Sequence, residues 1–257
     1  MTEWAGNSYE RYIGRWSRRL APEFLHWLHM PERLRWLDVG CGTGALTSAI
    51  LQQCDPSSVR GCDPSDAMLP SASADGRASF QVADAQSLPF ADQEFDAVVS
   101  GLVMNFIPDA SRAMREMVRV SRHGGTVAAY VWDYAGEMQL LRRFWDAAAA
   151  VDPAAIELDE GRRFPLCNLR RLKALFEEAP LANVGVQAID IPTKFRDFDD
   201  LWLPFLGGAG PAGAYAVLLE PDKQAKLRET LRTTLPIADD GSISLIARAL
   251  AVRGTKA

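Results

Sequence analysis

Cysteine and histidine are scarce in this sequence: four cysteines and three histidines among 257 residues. The cysteines, Cys41, Cys54, Cys62 and Cys167, form no C-x-x-C pair, and no histidine-rich segment accompanies them. That pattern argues against a disulfide framework or a zinc site, so no metal is expected. Cys41 and Cys62 fall at predicted strand ends, where cysteine serves as a small buried apolar residue. Long apolar runs are also missing, and none approaches the roughly 18 residues that a membrane span requires. The opening stretch MTEWAGNSYERYIGRW holds no continuous apolar segment and does not read as a secretory signal. The expectation is a cytoplasmic chain without a membrane partner. An excess of positive charge is absent as well: 28 Lys and Arg against 33 Asp and Glu give a net charge of -5. Nucleic acid is therefore not expected as a partner, because neutralising phosphates takes clustered Lys and Arg. The one local basic cluster, Arg11, Arg15, Arg18 and Arg19, reads as a solvated helix face. There is no internal repeat.

What is present is an alternation of strand and helix signals, which predicts a parallel sheet with helices on both faces. Leu20, Phe24, Trp27 and Leu28 recur at helical spacing and predict a helix over 16–29. Strands are predicted at 35–39 (RWLDV), 59–62, 79–82, 95–101 and 126–132. Helices are predicted near 45–53, 66–74 and 110–121, with Gly124-Gly125 as the turn into the fifth strand. Further on, the reading is a helix over 136–151, an irregular link over 152–165, and a helix over 169–178. Two closing strands follow at 184–191 and 242–252. Between them lies an insertion, 197–236, with a glycine-rich loop LGGAGPAGA at 206–214. An insertion of that length in a compact domain is more often a lid or binding element than filler. The whole is expected to be one α/β domain over 1–257. It divides into an N-terminal arm and helix (1–30), a core (31–135), and cap insertions with closing strands (136–257).

The sharpest signal is Asp38-Val39-Gly40-Cys41-Gly42-Thr43-Gly44, set between an apolar strand and a helix. Glycines there permit positive φ and close backbone approach to a ligand. The helix beyond them offers free N–H groups and a positive dipole end. The spacing is G-x-G-x-G, not the G-x-G-x-x-G of a nicotinamide or flavin site. Asp63 ends the second strand, where dinucleotide folds place an acid on ribose hydroxyls. Asp84 ends the third; as an isolated residue it is equally a helix N-cap. All three elements lie at carboxyl ends of successive strands, the edge where open α/β sheets bind ligands.

These segments, DVGCGTGALT, CDPSDAML, VADAQSLPFADQEFDAVVSGLVMNFI and the HGG turn, resemble class I S-adenosylmethionine-dependent methyltransferases. The closest branch is the group related to ubiquinone and menaquinone biosynthesis methyltransferases. The resemblance runs from about Arg35 to Trp132, and it implies a Rossmann-like, seven-stranded, mostly parallel sheet with the arm and insertion as a cap. It implies S-adenosylmethionine as cofactor, S-adenosylhomocysteine as product, and a small-molecule methyl acceptor as partner; a homodimer stays open. By the same resemblance, Gly40, Cys41 and Gly42 pass the cofactor with their backbone. Asp38 orients the loop or meets the methionine amino group, and Asp63 holds the ribose. Pro64 and Met68 pack on adenine, while Asp84 and the Ala85 amide bond its edge. Ser100 and Gly101 face the methionine end. One departure is His123, where the family's turn carries proline; it reads as structural.

No catalytic base stands out. Methyl transfer displaces a good leaving group, so positioning supplies much of the acceleration, and a base matters only if the acceptor must lose a proton. His26 and His29 read as packing or surface residues. Asn105, Trp132, Asp133 and Tyr134 follow the fourth and fifth strands and are candidates for the acceptor pocket. The aromatics Trp4, Tyr9, Tyr12 and Trp16 in the arm, and Trp202, Phe205 and Tyr215 in the insertion, either close that pocket or form a second hydrophobic cluster. The expectation is that arm and insertion fold over the sheet edge, with glycine hinges in the 206–214 loop. Two other functions compete: a non-catalytic module that binds the cofactor, and a nicotinamide-dependent oxidoreductase. The glycine spacing, the second acid and the lack of a Tyr-x-x-x-Lys pair count against the latter.

Overall fold

Within Arg35–Val39, Trp36 on one face and Leu37 and Val39 on the other are apolar, which suits a strand in the middle of a parallel sheet, and in the computed structural model this strand (β1) is buried from Trp36 onward. The structure describes residues 10–69 and 78–257. After β1 come α2 (Ala45–Gln53), β2 (Ser58–Asp63), β3 (Ser79–Val82), β4 (Phe95–Gly101), α3 (Ala110–Val120) and β5 (Ser121–Trp132). Helix α1 (Arg15–Leu28) precedes them. Then follow α4 (Gln139–Val151), the short α5 (Glu160–Arg163), α6 (Leu169–Glu177), β6 (Leu181–Phe195), α7 (Phe198–Trp202), α8 (Gly210–Leu218), α9 (Pro221–Thr234) and β7 (Ile243–Lys256). The seven strands form one sheet in the order β3-β2-β1-β4-β5-β7-β6.

β1 through β5 pair in parallel, with Trp36 opposite Val59 on one side and Ala97 on the other. β7 runs the other way beside β5, since Lys256 Nζ donates to the Ser121 carbonyl while the Asp133 amide donates to the Arg248 carbonyl. The strand order reverses at β1, between β2 and β4. A doubly wound sheet opens a crevice at such a switch point, outside the carboxyl ends of its strands.

The described residues divide into two compact units. The sheet unit holds Ser17–Val131, Leu166–Ile189 and Ala249–Ala257. Its core is Leu37, Val39, Ala97, Val98, Val99 and Val127 to Val131, all buried. Burying a side chain such as Val or Leu contributes about 1.5–3 kcal/mol. Phe24 of α1 lies 4.5 Å from the Tyr130 ring. The insertion unit holds residues 10–16, Trp132–Pro165 and Asp190–Arg248. Within it α4 packs on α9, and α8 on the turn Leu203–Gly207.

Three expectations need correction. β5 begins at Ser121, not at 126, and the His123-Gly124-Gly125 stretch is an irregularity inside the strand. Phe95 pairs with Ser121 and Ala97 with Thr126, so β5 spends five residues where β4 spends two. Gly124 at φ 70 makes this bulge. The 206–214 loop is mostly helix, since α8 starts at Gly210 with Pro211 in its first turn, a position where the missing N–H is harmless. The 152–165 link contains a 3-10 turn, Pro153–Leu158, and α5. The predicted 66–74 helix lies partly outside the described residues, as do Trp4 and Tyr9. Among the described residues no single helix is long and apolar enough to cross a membrane; one pair with that composition, Phe198–Gly207 and Gly210–Leu218, is bent by 85°.

Candidate cofactor site

In the sheet unit, β1 delivers Asp38 and then the glycine turn. Gly40, Gly42 and Gly44 adopt φ values of 74, 50 and 82°, which L side chains tolerate poorly. A Cβ on Gly40 would stand 2.5 Å from Val103 Cγ1, so the residue after β4 closes over the turn and demands glycine there. The turn's amides are already engaged. Gly40 and Cys41 both donate to the Cys62 carbonyl, at 2.7 and 3.0 Å, and Gly44 donates to the Cys41 carbonyl at 2.8 Å. Gly42 donates to Asp63 Oδ2 at 3.0 Å. Gly40, Cys41 and Gly42 therefore do not hold the free amides that a glycine turn suggests.

Asp38 is buried. Its Oδ2 accepts from Thr47 Oγ1 at 2.7 Å, while Oδ1 has no partner among the described residues. Burial, opposed by the Thr47 bonds and reinforced by nearby Asp63, pushes its pKa up to about 7. An unsatisfied buried carboxylate oxygen is costly unless a donor arrives. A cationic donor would supply both a hydrogen bond and charge. Asp63 is half-buried and its Oδ1 accepts from the Ser65 amide at 2.9 Å. Each carboxylate oxygen accepts more than one bond, so Asp63 retains capacity for hydroxyls while it ties the turn to β2. Burial raises the Cys41 and Cys62 thiols, Cys62 to about 12; both are inert fillers.

Met68 Cε would lie 3.6 Å from a Cβ on Gly42, so Met68 borders the turn; Pro64 is exposed. Asp84 is exposed and accepts from the Gln86 amide at 2.8 Å, which lowers its pKa. Ala85 beside it is buried. Ser100 does not offer its hydroxyl to a ligand, because it is fully buried and donates to the Val39 carbonyl at 2.8 Å. A Cβ on Gly101 would meet Tyr130 Oη at 2.6 Å. Next to it, Leu102 holds a left-handed φ of 62°, and strain of this kind in a non-glycine residue gathers at functional sites. Asn105 follows in the 3-10 turn Met104–Phe106, with neither amide atom bonded among the described residues. Sequence reading missed Leu102 and Val103, since two apolar residues after a strand carry no chemical signal.

The other acceptor-pocket candidates belong to the insertion unit. Tyr12 meets Phe205 at 5.2 Å between ring centroids, and Trp202 meets Phe205 at 6.1 Å. Phe144 stacks on Phe205 at 4.4 Å, and Trp145 lies 5.6 Å from Tyr215. Trp16 packs on Phe195 at 5.4 Å and Tyr134 on Phe164 at 5.8 Å. Trp132 is buried, its indole N–H without a partner among the described residues. Within this cluster sits an acid that the sequence did not flag. Glu160 Oε2 accepts from the Trp145 indole N–H, and burial lifts its pKa to about 7. Among the described residues no three His, Cys, Asp or Glu gather as a metal site.

Fold and site define a doubly wound α/β protein with a glycine turn and two acids at the carboxyl edge of its sheet. The family profile described as "Methyltransferase domain" matches residues 37–129. A demethylmenaquinone methyltransferase of Staphylococcus aureus (strain JH9) is 30% identical over 63% of this chain and 76% of its own. One from Roseiflexus castenholzii is 38% identical over 44% of this chain and 48% of its own. Uncharacterised mycobacterial relatives reach 49% identity, but the match spans only 22% of this chain and 21% of theirs. Among solved structures, phosphoethanolamine N-methyltransferase 2 of Haemonchus contortus, in complex with S-adenosyl-L-methionine, matches with a TM-score of 0.58 at 16% identity, over 93% of this chain and 52% of that one. The chain belongs to the class I S-adenosylmethionine-dependent methyltransferases, related to those of quinone biosynthesis, and S-adenosylmethionine is the cofactor of that family.

The residues present fit that cofactor. The orphan oxygen of Asp38 suits an ammonium group, and Asp63 retains acceptor capacity beside the bare Gly42.

Proposed function

We propose that the protein transfers a methyl group from S-adenosylmethionine to a small-molecule acceptor, by in-line displacement at the sulfonium methyl. The observation that carries this reading is the Gly42–Asp63 bond beside the unpaired Asp38 oxygen, at the switch point of the sheet. In this reading Asp38 meets the methionine ammonium and the Gly40–Gly42 carbonyls flank it. Asp63 accepts from the ribose hydroxyls. Pro64 and Met68 pack on adenine, and Asp84 with the Ala85 amide bonds its edge. Ser100 serves by fixing β4 to β1, so that Gly101 and Leu102 shape the methyl end. Asn105, with both amide atoms unpaired, is the acceptor-facing residue of the sheet unit. Tyr12, Trp16, Trp132, Tyr134, Trp202 and Phe205 belong to acceptor binding in the insertion unit.

Thermal unfolding with S-adenosylhomocysteine tests the cofactor half. A ligand at a hundred times its dissociation constant stabilises by about 2.7 kcal/mol, which moves the midpoint by several degrees. A shift with NAD and none with S-adenosylhomocysteine would sink the reading. The transfer half is tested by following S-adenosylhomocysteine production with a fractionated metabolite pool. Binding without any acceptor-dependent production would leave a cofactor-binding module that does no chemistry.

A further inference from the structure

The insertion unit carries an open groove of about 740 Å³, and no cofactor motif reaches it. Its apolar lining is Leu203, Pro204 and Leu206. The turn Leu203–Gly207 is a 3-10 helix, in which side chains three residues apart line up. Leu203 and Leu206 are such a pair, 58% and 36% exposed, while Phe205 is fully buried. A single exposed leucine is ordinary. Two of them aligned along a groove make an apolar strip that still faces water.

The charged lining is Arg11, Arg15, Arg196 and three aspartates, 197, 199 and 200. Most of this charge is engaged within the protein. Arg15 Nη1 donates to Asp200 Oδ1 at 3.1 Å, and its guanidinium lies 4.5 Å over the Trp16 ring. Asp200 Oδ2 accepts from the Arg196 amide at 3.1 Å. Asp199 accepts from Arg228 Nη2 at 2.9 Å, and Asp197 from the Asp200 amide at 2.8 Å. Of the three acids only Asp197 lacks a cationic partner among the described residues. The guanidiniums of Arg11 and Arg196 are exposed and have no hydrogen-bond or ion-pair partner among the described residues. The sequence groups Arg11 with Arg15 as one basic face; the structure separates an engaged arginine from an available one.

Two available guanidiniums suit a carboxylate, which they bind through charge-assisted bonds, and the leucine strip suits an alkyl chain. We propose that this groove binds one dissolved alkyl carboxylate, its head on Arg11 and Arg196 and its chain along Leu203 and Leu206. The volume lies within the range of small-molecule sites. An anionic bilayer suits the groove less well. It would press the exposed Asp197 and Asp199 against its own charge, and a concave surface takes one chain, not a sheet of them. The site is independent of the methyltransferase reading.

The test is calorimetric titration of the full chain with decanoate at neutral pH. Wild type should bind it saturably, and more tightly than hexanoate by about two- to fourfold for each added methylene. Binding should weaken as salt rises. Arg11→Gln and Arg196→Gln should each lose several-fold, and the double variant at least tenfold. Leu203→Ser should weaken the dependence on chain length and keep the dependence on salt. Decyltrimethylammonium, the same chain with the opposite charge, should bind poorly. All the replaced side chains are exposed, so each variant should keep wild-type circular dichroism and its stabilisation by S-adenosylhomocysteine. Failure of S-adenosylhomocysteine in wild type would strike the cofactor reading and leave this one standing. Equal decanoate binding by wild type and the double arginine variant, an unchanged chain-length dependence in Leu203→Ser, or no saturable binding would each overturn the proposal. Co-sedimentation with phosphatidylglycerol vesicles, without binding of dissolved decanoate, would overturn it in favour of a membrane contact.

Discussion

In the proposed reading Asp63 does two jobs, and separating them is the first test at the scale of single residues. Its carboxylate accepts the Gly42 and Ser65 amides, so it shapes the turn before any ligand arrives. Asp63→Ala should weaken S-adenosylhomocysteine by at least tenfold, since a hydrogen bond to a charged group contributes about 1.5–3 kcal/mol. It should also lower the melting temperature without ligand, because Gly42 loses its acceptor. Unchanged affinity by calorimetry would remove Asp63 from the cofactor site. Gly40 offers a cleaner steric experiment. Gly40→Ala should lose cofactor binding, and adding Val103→Ala should restore part of it by removing the methyl contacts at 2.5 and 2.7 Å, while the Val103 Cβ at 2.9 Å stays. The left-handed φ keeps its cost of about 1–2 kcal/mol, so recovery stops short of wild type. Full recovery in the double variant would mean that backbone strain is negligible there.

Two buried acids also set a pH dependence. Asp38 and Glu160 titrate near 7 when folded, above the unfolded carboxylate values of about 4. A raised acid opposes its own charging in the folded state. Stability is therefore fullest below pH of about 4 with respect to these groups, and falls as pH rises toward about 7. Glu160→Gln should remove its share, on the order of 3 kcal/mol. Urea midpoints at pH 5 and pH 8 should then differ less in the variant than in wild type. An identical difference in both would show that Glu160 is not the titrating group.

At the scale of elements, β1 and β4 were legible because buried parallel strands read as short apolar runs bounded by turn residues. The start of β5 was not. His123-Gly124-Gly125 reads as a turn, and only the pairing with β4 shows a strand carrying surplus residues. α8 was hidden for a related reason: GPAGA looks like loop composition, yet glycine and proline sit in its first turn and an apolar run follows. The glycine turn, Asp38 and Asp63 were visible as a motif. Glu160 was not, since an acid within LDEGRR has every mark of a solvated link until packing buries it. The β5 bulge yields an element-scale prediction. Gly125→Ala would place a Cβ 2.5 Å from Ser121 Oγ and 2.8 Å from the Arg122 carbonyl. It should cost about 1–3 kcal/mol in stability, measured by chemical denaturation, with cofactor affinity at native pH little changed.

Across the whole molecule, the chain passes five times between its two units, at residues 16, 131, 165, 189 and 248. α1, β5, β6 and β7 each contribute residues to both. Neither unit is a continuous stretch that folds before the other is made. Unfolding should be a single transition, with tryptophan fluorescence and far-ultraviolet circular dichroism giving the same midpoint. Trp16, Trp132, Trp145 and Trp202 lie in the insertion unit and Trp27 and Trp36 in the sheet unit, while the dichroism is weighted by the whole chain. Two resolved midpoints would show that the units melt separately.

The Cys62 carbonyl, which gathers the Gly40 and Cys41 amides, has a consequence for heredity. The grip on the turn is held in main-chain atoms, and every amino acid brings the same carbonyl. Positions 41 and 62 are thereby free to drift among small apolar residues, while 40, 42 and 63 are not. A lineage can rewrite the lining of this socket, and replace both thiols, without surrendering the shape of the glycine turn.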